Sequence, residues 1–177
     1  AGSPSRVVAW RDGVAVTAGE FLAHVRCVAD VLPDAVGAIN LCEDRYAFLV
    51  AFCAIALRGQ ANLLPSSRQP QAVAEVMAAH PGSYALGELV LDPAPPGYRR
   101  MPALDAPAAD GETPAPLIPA EQVVAIGYTS GSTGVPKAYP KTWRSFHASN
   151  AGNMRALRAI VGPRFDVVAT VPPQHMY

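Results

Sequence analysis

Between Gly127 and Lys141 the chain reads GYTSGSTGVPKAYPK. Four hydroxyl side chains, Thr129, Ser130, Ser132 and Thr133, stand among Gly131 and Gly134 and are followed by Lys137. Glycines lack Cβ, so the backbone there can reach φ > 0 and approach a ligand closely. Successive N–H groups can then converge into an anion-binding concavity. The hydroxyls add donors, and Pro136 limits where Lys137 can go by fixing its own φ and restricting Val135. Lys137 and Lys141 are the only lysines of a chain that otherwise uses arginine. Together these residues suit a polyphosphate. Each hydrogen bond to such a charged group contributes about 1.5–3 kcal/mol, and a lysine–phosphate contact near a surface is on the order of 4 kcal/mol before desolvation. The spacing is not that of the G-x-x-x-x-G-K-[ST] phosphate loop, because Lys137 follows a proline; a nucleotide hydrolase of that kind is disfavoured.

The surrounding charge fits an anion. Residues 1–121 hold 8 Arg against 13 Asp and Glu, whereas residues 122–165 hold Lys137, Lys141, Arg144, Arg155, Arg158 and Arg164 and no acid. An acid-free stretch of this length favours an anionic partner, although an ordinary basic helix face has the same composition. Lys141 and Arg144 either extend that field or begin a solvated helix. The whole chain has zero formal net charge and only 16% charged residues, which excludes a generally basic nucleic-acid binder and a disordered acidic tail.

The loop needs elements to carry it. Residues 7–16 read as two strands joined at Asp12-Gly13. Thr17 and Glu20 form a capping box for a helix that Pro33 ends. Residues 36–42 read as a buried strand, Asp44 as the cap of an apolar helix 45–58 stopped by Gly59, ANLL as a strand, and 70–79 as a helix with proline in its first turn. Tyr84–Leu86 and Leu89–Leu91 read as short strands. Residues 92–120 carry eight prolines and read as an extended connector. Val123–Tyr128 is then a strand, the loop follows it, Thr142 caps a helix of about 143–161 with Trp143, Phe146 and Met154 on its core side, and Phe165–Val171 is a further strand. The expected order around the loop is strand, loop, helix, strand.

This alternation predicts an α/β fold with mainly parallel strands and a second layer that is incomplete. The expected units are a first α/β subdomain at 1–91, the connector at 92–120, and a strand–loop–helix–strand unit at 121–177 that begins a second subdomain. Open sheet edges and apolar surface on that unit predict self-association. Cys27, Cys42 and Cys53 form no CxxC pair and read as small buried hydrophobes of a reducing, cytoplasmic protein, with no metal site. The longest apolar run, Tyr46–Leu57, is too short to span a bilayer. His24 and His80 read as solvent-facing, and His175 by itself as a surface residue.

YTSGSTGVPK resembles the glycine-rich signature of the adenylate-forming (AMP-binding) superfamily, which includes acyl-CoA synthetases and adenylation domains. VTAGEFLAHVRCVADVL, AFLVAFCAIALRGQANLLPSS and TVPPQHMY resemble its flanking segments, so the likeness spans most of 14–177, about the first third of a member. It implies that Thr129, Ser130, Gly131, Ser132, Thr133, Gly134 and Lys137 bind ATP phosphates and that His175 lines the acyl pocket. It implies ATP and magnesium as cofactors, with the magnesium ligands outside this chain, and as partners a carboxylic acid and either coenzyme A or an acyl carrier protein. The activity implied is an acid–thiol ligase that forms an acyl-adenylate. After Lys137 the family commonly has glycine and then a histidine; here Ala138 and YPKTW follow, which leaves the acid's subclass open. The later family motifs are absent from the 177 residues, so no catalytic residue is assigned and the chain alone is expected not to adenylate. The alternative is a non-catalytic nucleotide-binding or interaction domain that keeps the loop.

Overall fold

A computed structural model describes residues 3–105, 115–129 and 137–167. Strands β1 (Val7–Arg11) and β2 (Val14–Thr17) form an antiparallel hairpin, turned at Asp12 and Gly13, both at positive φ. Helix α1 (Ala18–Val31) starts on the expected capping box, in which Thr17 Oγ1 accepts from Glu20 N–H and the Glu20 carboxylate accepts from Thr17 N–H. After β3 (Gly37–Asn40), Asp44 caps α2 (Arg45–Leu57), accepting from Ala47 N–H at 2.8 Å. Gly59, at φ +74°, lets the chain leave that helix in the left-handed conformation that glycine adopts without strain. Strand β4 (Ala61–Leu64), helix α3 (Pro70–Ala79) and strand β5 (Tyr84–Gly87) follow.

The central sheet has six strands in the order β6-β5-β3-β4-β7-β8. Strands β3 to β7 with β6 are parallel, and β8 alone is antiparallel to its neighbour. This is the mainly parallel α/β architecture expected. Strand alternation divides the core in two. Ala38, Leu64, Tyr84 and Leu86 face a cluster with α1 and α2, while Ile39, Leu63 and Ala85 face a cluster with Val73 and Val76 of α3.

Several expectations are corrected. Strand β6 (Tyr98–Arg100) lies inside the proline-rich segment and pairs with β5, so that segment is not wholly a connector. Leu89–Leu91 form no strand; Leu89 and Val90 are exposed, and the Leu89 carbonyl accepts from the Tyr98 hydroxyl at 2.6 Å instead of joining a ladder. Gly87 makes that approach possible, since a Cβ there would lie 2.7 Å from the Tyr98 oxygen. Cys42 is buried and Cys53 half-buried, but Cys27 faces outward on α1. His24 is buried, with Nδ1 2.6 Å from the Tyr46 hydroxyl oxygen, and burial holds its pKa below the usual imidazole range. His80 is half-buried and is hydrogen-bonded through Nε2 to the Tyr128 hydroxyl. No helix of the described residues is long and apolar enough to cross a membrane.

Strand β7 (Val123–Thr129) is added to the sheet against β4. Buried Asn62 fixes this junction, its amide donating to Val124 O at 3.0 Å and to Phe52 O at 3.1 Å. Helix α4 (Trp143–Val161) packs through Trp143 and Phe146, the latter edge-on to Phe52 at 5.7 Å between centroids. Met154 is exposed, contrary to its expected core role, and no residue of α4 is buried. Phe165–Val167 are not in a strand, and the remainder of that expected strand lies outside the described residues.

Candidate phosphate-binding hairpin

The loop leaves the sheet at Thr129, the carboxyl end of β7. In parallel α/β sheets ligands bind outside the carboxyl ends of the strands. β7 is parallel to β4, so the loop is on the edge where that rule places a site. Of the residues assigned to the phosphate grip, Thr129 and Lys137 are described; Ser130, Gly131, Ser132, Thr133 and Gly134 lie outside the described residues, as does His175.

The loop does not run into a helix, as the sequence suggested. Lys137 begins β8 (Lys137–Thr142), which returns antiparallel along β7. Thr129 and Lys137 are directly opposed partners at the end of the antiparallel β7–β8 ladder. The first hydroxyl and the lysine of the motif thus stand side by side across the hairpin mouth, although eight positions separate them in sequence. A six-residue strand separates the loop from α4, a distance of roughly 17–20 Å along the chain.

The start of α4 is satisfied internally. Trp143 N–H donates to Gln122 O at 2.9 Å, Arg144 N–H to Ala120 O at 2.8 Å, and Ser145 N–H to Thr142 Oγ1 at 3.2 Å. A helix N-terminus binds phosphate only through free first-turn amides. Those of α4 are committed to the segment before β7 and to the helix's own cap. Any anion grip here therefore rests on the loop backbone, its hydroxyls and Lys137.

Lys137 has the freedom this requires. Its ammonium lies 5.3 Å from the Tyr139 ring centroid, on the same strand face two residues on, and no carboxylate among the described residues bridges it. A cation held on an exposed ring is only weakly retained, by about 0.5–1 kcal/mol. Lys141 also lies on β8 and is exposed, whereas Arg144 is ion-paired to Glu121 and so does not add a free charge. Among the described residues no group of three or more His, Cys, Asp or Glu could hold a metal ion.

A cleft of about 370 Å³ lies elsewhere, lined by Arg11, Asp44, Glu88, Arg100 and Met101 among others. Its polar groups serve the fold. Glu88 Oε1 accepts from the amides of Glu43 and Asp44, both at 2.8 Å; Arg100 Nε donates to Glu88 O, and Arg11 Nη1 to Leu104 O. The anion position at the head of α2 is thus filled by the chain's own carboxylate. Sequence reading missed Glu88 and Asn62, which act through contacts distant in sequence, and β8, which has no apolar alternation.

A sequence model described as AMP-binding enzyme matches residues 1–177. The sequence matches no curated protein. The fold is similar to that of O-succinylbenzoate coenzyme A synthetase (MenE) from Bacillus subtilis, solved in complex with ATP and magnesium ion. The TM-score is 0.68 at 18% identity, covering 97% of this chain and 48% of that one. It is also similar to the NpsA N-terminal subdomain of Klebsiella oxytoca, with TM-score 0.62 at 21% identity, covering 80% of this chain and 39% of that one. The chain thus spans less than half the length of these solved structures.

Proposed function

We propose that this chain, which belongs to the AMP-binding enzyme family, is the N-terminal portion of an ATP-dependent acid–thiol ligase. In that reaction a carboxylate oxygen attacks the α-phosphorus of ATP and the bond to pyrophosphate breaks; a thiol sulfur then attacks the acyl carbon of the adenylate and AMP leaves. This chain's share is the hold on the departing phosphates. Thr129, Ser130, Ser132 and Thr133 donate hydroxyls, Gly131 and Gly134 let backbone amides approach, and Lys137 neutralises the charge that builds on the leaving group. The acyl acceptor is coenzyme A or an acyl carrier protein, His175 borders the carboxylate substrate, and the protein works in the cytoplasm. Magnesium would travel with the phosphates and take its protein ligands from outside this chain.

The observation that carries this reading is the pairing of Thr129 with Lys137 at the mouth of a hairpin on the carboxyl edge of the sheet. In support, Lys137 has no carboxylate bridging it among the described residues. The test is acid-dependent ATP–pyrophosphate exchange by the complete ligase and by the 177-residue chain. Lys137→Ala is expected to lower exchange by the complete enzyme about 100-fold, in the range of losing one strong contact to transition-state charge. The isolated chain is expected to show no exchange above its own Lys137→Ala control. Exchange unaffected by the substitution would contradict the assignment, and exchange by the chain alone would contradict its being a portion of the catalyst.

A further inference from the structure

Tyr128 immediately precedes Thr129. Its side chain is 8% exposed and packs in the cluster built on Val73 and Val76 of α3. Its hydroxyl is hydrogen-bonded to His80 Nε2, and the two rings meet edge to face with centroids 6.1 Å apart. His80 caps α3 and is itself fixed: its N–H donates to Met77 O and its carbonyl accepts from Ser83 N–H, both at 3.1 Å. Across the hairpin, Tyr128 faces Ala138, and β8 is exposed from Lys137 to Lys141. The outer strand therefore has little to locate it except β7; the β4 ladder holds β7 as far as Gly127, and beyond it the buried Tyr128 is the anchor.

We infer that His80 and Tyr128 form a positioning pair for the hairpin mouth, setting the angle at which Thr129 and Lys137 face a polyphosphate. The inference rests on the phosphate-binding reading above. Neither residue needs to touch the ligand. A tyrosine whose ring is anchored by packing alone can slide or rotate along the α3 surface. One whose hydroxyl is also tied to a helix cap cannot, and a small misplacement of a binding group costs disproportionately. A histidine serves here because its ring nitrogen reaches a buried phenol from a cap position that a shorter polar side chain would not span.

The test is calorimetric titration of the chain with magnesium-ATP, comparing wild type, Tyr128→Phe, His80→Ala, the double variant, His80→Gln and Lys137→Ala. Tyr128→Phe keeps the ring and removes only the hydroxyl, so the packing survives. Tyr128→Phe and His80→Ala are each expected to weaken ATP binding about three- to tenfold, and the double variant no further than the weaker single, as for two residues acting through one bond. His80→Gln, whose amide can also bond the phenol, is expected to recover part of the loss. Amide exchange at Thr129 and Lys137 is expected to quicken in Tyr128→Phe while that of α2 stays unchanged. Wild-type affinity in both single variants, with Lys137→Ala still impaired, would overturn the pair's role and leave the phosphate reading standing. Additive losses in the double variant would overturn the coupling. Absence of ATP binding by the wild type, or undiminished binding by Lys137→Ala, would overturn the phosphate reading and this inference with it.

Discussion

At the residue scale, Glu88 illustrates how a surface-looking acid becomes structural. Burial pushes its pKa up, but the amides of Asp44, Glu88 itself and Glu43 outweigh that and hold the carboxyl below the usual range. A depressed folded-state pKa means that the stabilisation is present above the unfolded value of about 4.3 and is lost as pH falls through the folded value. Glu88→Gln keeps an acceptor and removes the charge. It is expected to destabilise by about 1 kcal/mol at pH 7, discounted for partial exposure, with the gap closing below about pH 4; urea denaturation of both proteins at the two pH values checks this. A gap that persists unchanged at low pH would assign the loss to shape instead. Nothing local in GELVLD announces this role, because the donors lie 44 and 45 residues earlier in the chain. The caps at Thr17, Asp44 and Thr142 were legible because donor and acceptor sit three residues apart. His24 and His80 were misjudged for the same reason as Glu88: their phenol partners are 22 and 48 residues away.

At the element scale, the helices and the buried strands followed from apolar period and punctuation. The strands that escaped were β6 and β8, both short of apolar residues. KAYPKT holds two lysines and a proline, the composition by which natural proteins protect an edge strand from pairing with another chain. Such a strand has no hydrophobic alternation to read, and only its ladder to β7 defines it. Its presence changes the site, because it moves α4 away from the loop. Helix α4 then shows an unburied apolar stripe, Met154, Leu157, Ile160 and Val161, beside Arg155 and Arg158. An exposed stripe of this kind promotes association. The isolated chain is expected to self-associate at tens of micromolar in 0.15 M salt, and Leu157→Lys with Ile160→Lys to restore a monomer, measured by sedimentation velocity. A wild-type monomer at that concentration would show that the stripe is too small to drive contact.

At the scale of the whole molecule, one continuous sheet joins the strands before and after the proline-rich segment through β4 and β7. The architecture was readable as α/β from the alternation of elements, but strand order was not, because β5 returns to the far side of β3 while β7 adds beyond β4. That order brings Thr129 and Lys137 to a carboxyl-edge hairpin and leaves the first turn of α4 without free amides. The central claim is that the hairpin loop, and not the helix, is the phosphate grip of an AMP-binding enzyme. The most direct measurement is an amide-resolved NMR titration of the chain with magnesium-ATP. Shifts are predicted to concentrate from Thr129 to Lys137, to vanish in Lys137→Ala, and to leave Trp143, Arg144 and Ser145 unmoved. Largest shifts at those three first-turn amides of α4, or an unaltered pattern in Lys137→Ala, would contradict the account.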